Sequence, residues 1–545
     1  MSLPNLDTLS LRQQVAQMVV VRASGYLFDH QIQYPAWEPT ADKLQHWLQL
    51  GVGGVILLGG SAAELVLRSQ QLQGWATIPL LIAADVEEGV GQRFAGATWF
   101  PPLMALGTIA ARNLAQALHY TEEMGAATAQ EALAIGLNWL LAPVVDVNNN
   151  PANPVINVRA FSEDAAIVSQ LAQAFIRGVQ RYPVLTTAKH FPGHGDTTVD
   201  SHLALPVLPH TPERLDEVEL PPFRAAIEAG VDAVMTAHLT IPAWDEKYPA
   251  TLSPHILTQE LRQNLAFPGL IVTDALVMGA IADRYGNGEA AVLAVEAGAD
   301  ILLMPLDPED AIQAVCEAVA AGRITPERIR ASVERIWQGK RRVDLPIPAA
   351  ATKESTPAAT QTWGFLQQLA QPAATAMVET ILRDSMAVRR PEPSRLENPV
   401  WTKRGMLRNL IVLDDALTGE FLGPRSPAIT LPTERGYRLH LVDRHTPEIL
   451  TDLEVETQIW YPTLLQVFVR GNPFRGGAGL TQTAKSWFHS LLQTQELQAL
   501  VIYGSPYILK YFLPELSVDV PYVFTYGQMP IAQSIALTAL FGGDR

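Results

Sequence analysis

Short apolar segments alternate with longer amphipathic segments along the first 344 residues of the chain. The apolar segments are rich in Val, Ile and Leu and have the length of buried strands, whereas the segments between them have helical periodicity. This alternation is typical of βαβ units built around a buried parallel sheet. The predicted strands are QMVVVRA (17 to 23), GGVILLG (53 to 59), PLLIAAD (79 to 85), NWLLAPVVDV (138 to 147), PVLTTAKH (183 to 190), DAVMTAH (232 to 238), GLIVTD (269 to 274) and DILLMP (300 to 305).

Several predicted helices end in a glycine just before the next strand, within QLGVGGVIL, AIGLNWLL, EAGVDAVMT and EAGADILLM. A left-handed residue closes a helix at this position, and glycine adopts that conformation without a steric penalty. An open doubly wound sheet uses the same caps, so the glycines alone leave the topology undecided. Eight strands of similar length favour an α/β fold closed into a (β/α)8 TIM-type barrel.

A segment rich in Pro, Ala, Ser and Thr, PIPAAATKESTPAATQT, separates this region from the rest of the chain. Because its composition is typical of a linker, we expect a barrel over residues 1–345, a linker over 346–362 and a C-terminal α/β domain over 363–545. In the last region a helical run from Trp363 to Val388 precedes apolar strands at NLIVLD, LLQVFVRG, ALVIYG and PYVFTYG. This pattern predicts a smaller α/β sandwich.

Composition and charge narrow the classes of partner for this chain of 545 residues. A formal net charge of -16 disfavours nucleic acid and anionic membranes, and it leaves neutral or small anionic substrates open. Cys316 is the single cysteine, so neither a disulfide framework nor a cysteine metal cage is expected. The first residues lack a basic leader and a long apolar run, which predicts a cytoplasmic protein without a membrane span.

Polar residues stand at the carboxyl ends of five of the eight predicted strands. In a parallel barrel these ends converge on one face, where active sites lie. An acid that ends a strand is also a common N-cap for the following helix, so for Asp274 both a capping role and a catalytic role stay open. The residues at the strand ends are Asp85, Asp146, Lys189 with His190, His238 and Asp274.

The stretch KHFPGHGDTTVDSH, Lys189 to His202, concentrates groups that bind or transfer protons. A metal site built on His190 and His194 is disfavoured because Pro192 and the glycines beside it break the helix that would align the two rings. We therefore expect no metal. An alternative for His194 and Asp196 is a hydrogen-bond network that braces a tight turn.

Asp200 and His202 alternate along an extended segment, so their side chains point the same way. A carboxylate beside an imidazole suits a general acid/base near neutral pH. Ser201 points away, which disfavours a Ser-His-Asp triad. The glycine-rich stretch GVGGVILLGG coincides with a predicted strand rather than with a loop before a helix, so no nucleotide cofactor is expected.

The opening motif, together with GLIVTDAL, resembles glycoside hydrolase family 3, in particular its bacterial β-N-acetylglucosaminidase (β-hexosaminidase) branch of the cell-wall recycling type. The resemblance extends through PLLIAADVEEGVGQRF, APVVDVNNNPANPVINVRAFSED and VMTAHLTIPAW. In the second domain it is looser and rests on GSPYILKYF and VPYVFTYG. The family stretch usually reads Asp-Gln-Glu-Gly-Gly-Arg, whereas Val86, Glu88 and Val90 interrupt it here.

The resemblance implies roles for individual residues and a carbohydrate substrate. Asp274 corresponds to the nucleophile, and His202 supported by Asp200 corresponds to the acid/base. The implied reaction is retaining hydrolysis of terminal β-linked N-acetylglucosamine from peptidoglycan (muropeptide-like) fragments. A phosphorylase that uses phosphate in place of water, and a catalytically silent sugar-binding protein, remain alternatives. The positions that correspond to sugar-binding residues are Asp85, Arg93, Arg159, Lys189 and His190.

Overall fold

The computed structural model describes residues 3–199, 205–343, 364–390, 406–415, 421–446, 461–470 and 482–542. These residues form two compact units. The first unit runs to Thr375, and the second begins at Ala376.

Eight short strands form the sheets of the first unit. Each of them overlaps one predicted strand, which confirms all eight predicted positions. The strands are β1 (Val19–Ser24), β2 (Gly54–Leu58), β3 (Leu81–Ala84), β4 (Trp139–Leu140), β5 (Thr187–Phe191), β6 (Ala233–Thr236), β7 (Leu270–Val272) and β8 (Leu302–Leu303).

The strands of the first unit pair in parallel and confirm an α/β fold with parallel sheets. One sheet has the order β4-β3-β2-β1-β8 and the other the order β5-β6-β7. Single parallel bridges join the two sheets, from Trp139 to Leu185 between β4 and β5 and from Val272 to Ile301 between β7 and β8. The side chains of β3, β5, β6 and β7 are buried, as expected for parallel strands covered by helices on both faces.

Helices connect the strands, and their boundaries follow from the sequence. In the helix Ala165–Val179, Val168, Leu171 and Phe175 recur at helical spacing and are buried, while Asp164 caps the first turn. The four glycines predicted to end helices have positive φ, which confirms the caps. The helices are Leu11–Gln17, Ala41–Leu50, Ala62–Trp75, Met104–Ala110, Leu114–Ala134, Ala165–Val179, Pro212–Arg214, Pro221–Glu228, Gly279–Tyr285, Asn287–Ala297, Pro308–Ala320 and Pro326–Arg342, with π-helical turns at Leu215–Glu219 and His255–Asn264.

The second unit is built on a six-stranded sheet of order β11-β10-β12-β13-β14-β9, in which only β9 runs antiparallel to its neighbour. Its core contains Ile411, Leu464, Val501, Val523 and Leu537. The strands are β9 (Ala387–Arg389), β10 (Arg408–Leu413), β11 (Arg438–Val442), β12 (Thr463–Val469), β13 (Leu497–Gly504) and β14 (Tyr522–Thr525). The helices are Pro372–Ser385, Pro427–Glu434, Gln482–Gln493, Pro506–Phe512 and Pro530–Phe541.

The four strands predicted in the second unit are confirmed, while β9 and β11 were not predicted. The prediction of a helix through Val388 was wrong at its end, because the helix stops at Ser385 and Val388 lies in β9. None of the helices in the described ranges is both long enough and apolar enough to cross a membrane.

Candidate active site

A buried cluster of four charged side chains links the ends of β3 and β5. The Lys189 ammonium lies 2.7 Å from Asp85 Oδ1 and 2.7 Å from Glu87 Oε1. Arg159 donates to the same Glu87 carboxylate from Nε at 2.9 Å and from Nη2 at 2.7 Å. The side chains of Lys189 and Glu87 are 1% and 2% exposed, whereas that of Asp85 is 35% exposed. Asp85 is therefore the member of the cluster that faces solvent most.

The charges in this cluster stabilise one another. Burial raises the pKa of Glu87, but Arg159 and Lys189 outweigh that effect and hold the pKa well below its usual value. Burial likewise raises the pKa of Asp85, and Lys189 and Arg93 bring it below the usual value. For Lys189 burial lowers the pKa, and the carboxylates of Asp85 and Glu87 raise it above the usual value. All these groups are charged at neutral pH.

Arg93 completes this side of the site. It follows the 3-10 turn Val90–Gln92, and its Nε donates to the backbone carbonyl of Asp85 at 3.0 Å. Its charge is one of those that lower the pKa of the Asp85 carboxyl. The structure thus places Arg93 next to Asp85 through the backbone.

The two histidines at the start of the motif share one buried carboxylate. Asp146 accepts the backbone amides of His190 at 3.1 Å and His194 at 2.7 Å through Oδ1, and its Oδ2 lies 2.8 Å from His190 Nδ1. Burial raises the pKa of Asp146, but His190 and His194 lower it below its usual value. An ionised Asp146 favours the Nδ1 proton on His190, which leaves Nε2 for another partner.

The turn after β5 is braced as predicted. The His194 ring lies 2.8 Å from Thr197 Oγ1, and Asp196 Oδ2 lies 3.0 Å from His210 Nε2. A Cβ on Gly195 would lie 1.8 Å from the backbone oxygen of Val147, so only glycine fits there. Burial lowers the pKa of His194 to about 4, so this ring is neutral at pH 7. His194 and Asp196 are thus structural supports of the turn.

Asp274 is half-buried, two residues beyond the end of β7. Its Oδ1 accepts the amide of Ala275 at 2.8 Å. The next helix begins at Gly279 with Met278 as its N-cap, so Asp274 does not cap it. The charge of Asp274 is the smallest of several effects that act on the pKa of His194, and it raises that pKa against the effect of burial.

Two predicted site residues, Asp200 and His202, lie outside the described residues. Asp85, Arg93, Arg159 and Lys189 are brought together at the ends of β3 and β5. His190 follows Lys189 in β5, and Asp274 lies beyond the end of β7. No group of three or more His, Cys, Asp or Glu side chains suited to a metal ion occurs within the described ranges.

The residues that interrupt the family stretch are accommodated by packing. Val86 and Val90 are fully buried, and the buried carboxylate of Glu88 accepts a hydrogen bond from Trp99 Nε1 at 3.0 Å. Sequence reasoning assigned no contact to Glu87, although it bridges Lys189 and Arg159. The position of Glu87 two residues after Asp85 could have indicated this contact, since alternate residues of an extended segment point to the same side.

Buried carboxylates and cations lie at the carboxyl ends of the parallel strands of this α/β fold. Such an arrangement is typical of a binding site for a polar small molecule. The chain belongs to glycosyl hydrolase family 3. Residues 10–338 match the glycosyl hydrolase family 3 N-terminal domain, and residues 401–542 match the bacterial glycosyl hydrolase family 3 C-terminal domain.

Sequence and structure comparisons with individual proteins support this membership. A beta-hexosaminidase A from Pseudoalteromonas piscicida is 34% identical over 336 residues, which cover 56% of this chain and 56% of that protein. The chain thus spans about half the length of that curated relative. A glycoside hydrolase family 3 beta-N-acetylglucosaminidase from Paenibacillus sp. str. FPU-7 is 32% identical with a TM-score of 0.77, over 99% of this chain and 98% of that chain.

A beta-glucoside phosphorylase, BglX, shares the fold. Its structure bound to 2FGlc superposes with a TM-score of 0.79 over 99% of this chain and 93% of that chain. The sequence identity is 23%, so the similarity concerns the fold alone.

Proposed function

We propose that the chain is a retaining exo-β-N-acetylglucosaminidase that removes terminal non-reducing β-linked N-acetylhexosamine residues. One observation carries the proposal: β5, β6 and β7 are parallel neighbours, so the half-buried Asp274 carboxylate just beyond β7 lies at the same end of the sheet as the motif that begins at Lys189. A carboxylate nucleophile facing a proton donor is the arrangement that double displacement requires. Peptidoglycan fragments are the proposed source of substrate.

In the proposed mechanism Asp274 attacks the anomeric carbon while His202, supported by Asp200, protonates the leaving oxygen. The bond from the anomeric carbon to that oxygen breaks, and a covalent glycosyl-Asp274 ester forms. Water then attacks the anomeric carbon of this ester, the bond from that carbon to the Asp274 oxygen breaks, His202 accepts the proton of the water, and Asp274 leaves as a carboxylate.

The charged cluster would bind the hydroxyl groups of the terminal sugar. Asp85 is the natural acceptor because it is the most exposed of the four side chains and stays ionised at neutral pH. Glu87 fixes Lys189 and Arg159 from the buried side, which leaves their remaining protons for substrate oxygens. In the proposal Arg93 and His190 complete the binding set.

Closure of the barrel, the domain boundaries and the location are also proposals. The bridges between β4 and β5 and between β7 and β8 support closure of the eight strands into a (β/α)8 barrel. We also propose the domain boundaries at 345 and 363 and a cytoplasmic location.

Hydrolysis of an aryl N-acetylglucosaminide tests the function. We expect turnover by the wild-type protein and a loss of about a thousandfold or more in Asp274→Ala and His202→Ala. Asp283→Asn, which removes an exposed carboxylate of the following helix, is the matched control and keeps full activity. Mass spectrometry after reaction with a fluorinated N-acetylglucosaminide then locates the covalent label. Label on a residue other than Asp274 contradicts the mechanism.

A phosphorylase is the second candidate, because its reaction would differ only in the acceptor that attacks the glycosyl-Asp274 ester. A histidine acid/base would avoid placing a second carboxylate against incoming phosphate. Product analysis in phosphate buffer decides, because a phosphorylase releases the sugar 1-phosphate and a hydrolase releases the free sugar. A catalytically silent sugar-binding protein is the third candidate, and it predicts tight sugar binding without turnover.

A further inference from the structure

The loop after β4 is held in shape by asparagine side chains. It runs from Asn148 to Arg159 with the sequence NNNPANPVINVR, and it presents Arg159 from the 3-10 turn Asn157–Arg159. Asn148 Oδ1 accepts the amide of Asn157 at 2.8 Å, which closes the loop on itself. Asn153, in the middle of the loop, also reaches the turn after β5.

The Asn153 side chain is fully buried and uses both ends of its amide group. Its Nδ2 lies 2.8 Å from the carbonyl oxygen of His194, 2.9 Å from that of Gly195 and 3.4 Å from Thr197 Oγ1. Its Oδ1 accepts the backbone amides of residues 155 and 156 at 2.9 Å and 2.8 Å. Because carbonyls only accept and backbone amides only donate, these partners fix the orientation of the side-chain amide.

The same turn is bonded to the end of β4 by a second side chain. Asp146 accepts the amide of His194 at 2.7 Å, while Asn153 donates to the carbonyl of that residue at 2.8 Å. The backbone of His194 is therefore held at its N–H and at its C=O by residues that follow β4. Such pairing restricts the conformations open to the segment.

This turn leads into the segment that carries the proposed acid/base. Thr197 precedes Asp200 by three residues and His202 by five. A shift of the turn therefore moves the start of that segment. Acid catalysis is sensitive to such a shift, since the proton donor must lie within hydrogen-bond reach of the leaving oxygen.

The two ends of the Asn153 amide can be separated by one substitution. Oδ1 holds the part of the loop that contains Val155, whose carbonyl accepts from Arg159 Nη1 at 3.0 Å. Asn153→Asp keeps an oxygen at the Oδ1 position and replaces Nδ2 by a second oxygen. The carboxylate then faces the carbonyls of His194 and Gly195, so the bonds to the turn are lost while those to the loop remain.

We propose that Asn153 is a positioning residue for acid/base catalysis, because its side-chain amide fixes the turn from which the segment with Asp200 and His202 continues. The proposal rests on the function proposed above. Asn153 acts through the turn, so it contributes to protonation of the leaving oxygen and not to the attack by Asp274.

Two aryl N-acetylglucosaminides with different leaving groups test this role. Phenolate is a poor leaving group and needs a proton from the acid, whereas 2,4-dinitrophenolate leaves without one. We expect Asn153→Asp to lower kcat/KM for the phenyl glycoside about tenfold and to change that for the dinitrophenyl glycoside by about twofold at most. This parameter is chosen because it covers the steps up to the glycosyl-enzyme, in which the acid acts.

Asn150→Asp is the matched control, since it makes the same change in the same loop. Asn150 Oδ1 accepts the amide of Ala152 at 3.0 Å, a contact that an aspartate keeps. This variant should follow wild type on both substrates, and thermal melting compares the folding of all variants. If Asn153→Asp does not fold, Thr197→Val replaces it, with a smaller loss expected for the phenyl glycoside alone.

A loss for the dinitrophenyl glycoside as large as that for the phenyl glycoside overturns the role, as does no loss for either. If the wild-type protein cleaves neither glycoside, the proposed function fails, and hydrogen exchange followed by mass spectrometry judges the anchoring of the turn separately. Faster exchange of residues 193–199 in Asn153→Asp than in Asn150→Asp supports the anchoring, and equal exchange overturns it.

Discussion

The imidazole of His238 donates a hydrogen bond from Nε2 to the carbonyl oxygen of Ala275, 3.0 Å away. A carbonyl only accepts, so Nε2 carries the proton, and Nδ1 lies 2.7 Å from the Thr251 hydroxyl, which itself donates to the carbonyl of Ala237. Ala275 directly follows Asp274. A fully buried side chain just beyond the end of β6 therefore fixes the backbone beside the proposed nucleophile.

His238 is a positioning residue in this arrangement. We expect His238→Ala to lower kcat about tenfold with little change in KM, because a displaced carboxylate attacks less well while the sugar-binding cluster stays intact. His238→Gln keeps an amide donor near the position of Nε2 and should recover part of kcat. Kinetics on an aryl N-acetylglucosaminide measure both variants, with thermal melting to compare their folding. A kcat equal to wild type in His238→Ala, or no recovery in His238→Gln, contradicts the role.

The sequence predicts those strands whose burial on both faces leaves a continuous apolar run. β1, β7 and β13 are of this kind, and the hydrophobic pattern located them. β11, with the sequence RLHLV, has four exposed residues at a sheet edge, and β9 has three half-buried residues. Neither leaves a strong pattern, because an edge strand needs less apolar surface than a central one.

The sequence likewise predicts only those parts of the site that the strand topology determines. Strand ends identified Asp85, Lys189 and Asp274 as neighbours on one face, since the topology alone brings them there. The pairing of Glu87 with Arg159, and that of Asp146 with His190 and His194, depend on distances between residues far apart in the chain. No local pattern encodes those distances.

Glu87 is expected to be a major contributor to stability. In Glu87→Gln the buried cations Lys189 and Arg159 lose a shared counter-charge, and we expect a loss of about 3 kcal/mol in the free energy of unfolding. Urea denaturation at pH 7 measures it. Glu122→Gln is the control, because Glu122 pairs with Arg177 at the surface at 3.4 Å with both side chains well exposed. It should cost at most about 1 kcal/mol. Equal losses in the two variants would show that burial of the cluster does not matter.

His194 should make the protein less stable in mild acid. Its pKa is lowered by burial to about 4, against an ordinary value of 6.5. Between these values the unfolded chain binds a proton and the folded chain does not, so stability falls as pH decreases from 6.5 to 4. The contribution of this group is roughly 3 kcal/mol when the titration is complete.

The experiment compares unfolding free energies at pH 7 and pH 4.5 in wild type and His194→Gln. The variant should lose clearly less stability between the two pH values than wild type does. His119→Gln removes an exposed histidine of the same unit and should follow wild type. The interpretation fails if His194→Gln and wild type show the same pH dependence.

Glu219 should have the opposite effect on the pH dependence of stability. Its side chain packs against Gly193 of the motif turn, its Oε1 lies 3.2 Å from Arg214 Nη2, and its buried Oε2 has no hydrogen-bond partner within the described part of the chain. Burial raises the pKa of Glu219 from 4.5 to about 7. The folded chain thus retains a proton that the unfolded chain releases, and stability falls as pH rises from 4.5 to 7.

Glu219→Gln removes this titration while keeping the size and a neutral polar head of the side chain. We expect the variant to gain about 2 kcal/mol relative to wild type between pH 4.5 and pH 8, because the amide has no charge to desolvate. Chemical denaturation at the two pH values measures the difference. Glu217→Gln, two residues earlier and exposed, is the matched control and should follow wild type at both pH values. A variant that gains nothing at pH 8 would mean that Glu219 is already ionised at low cost, with Arg214 neutralising it.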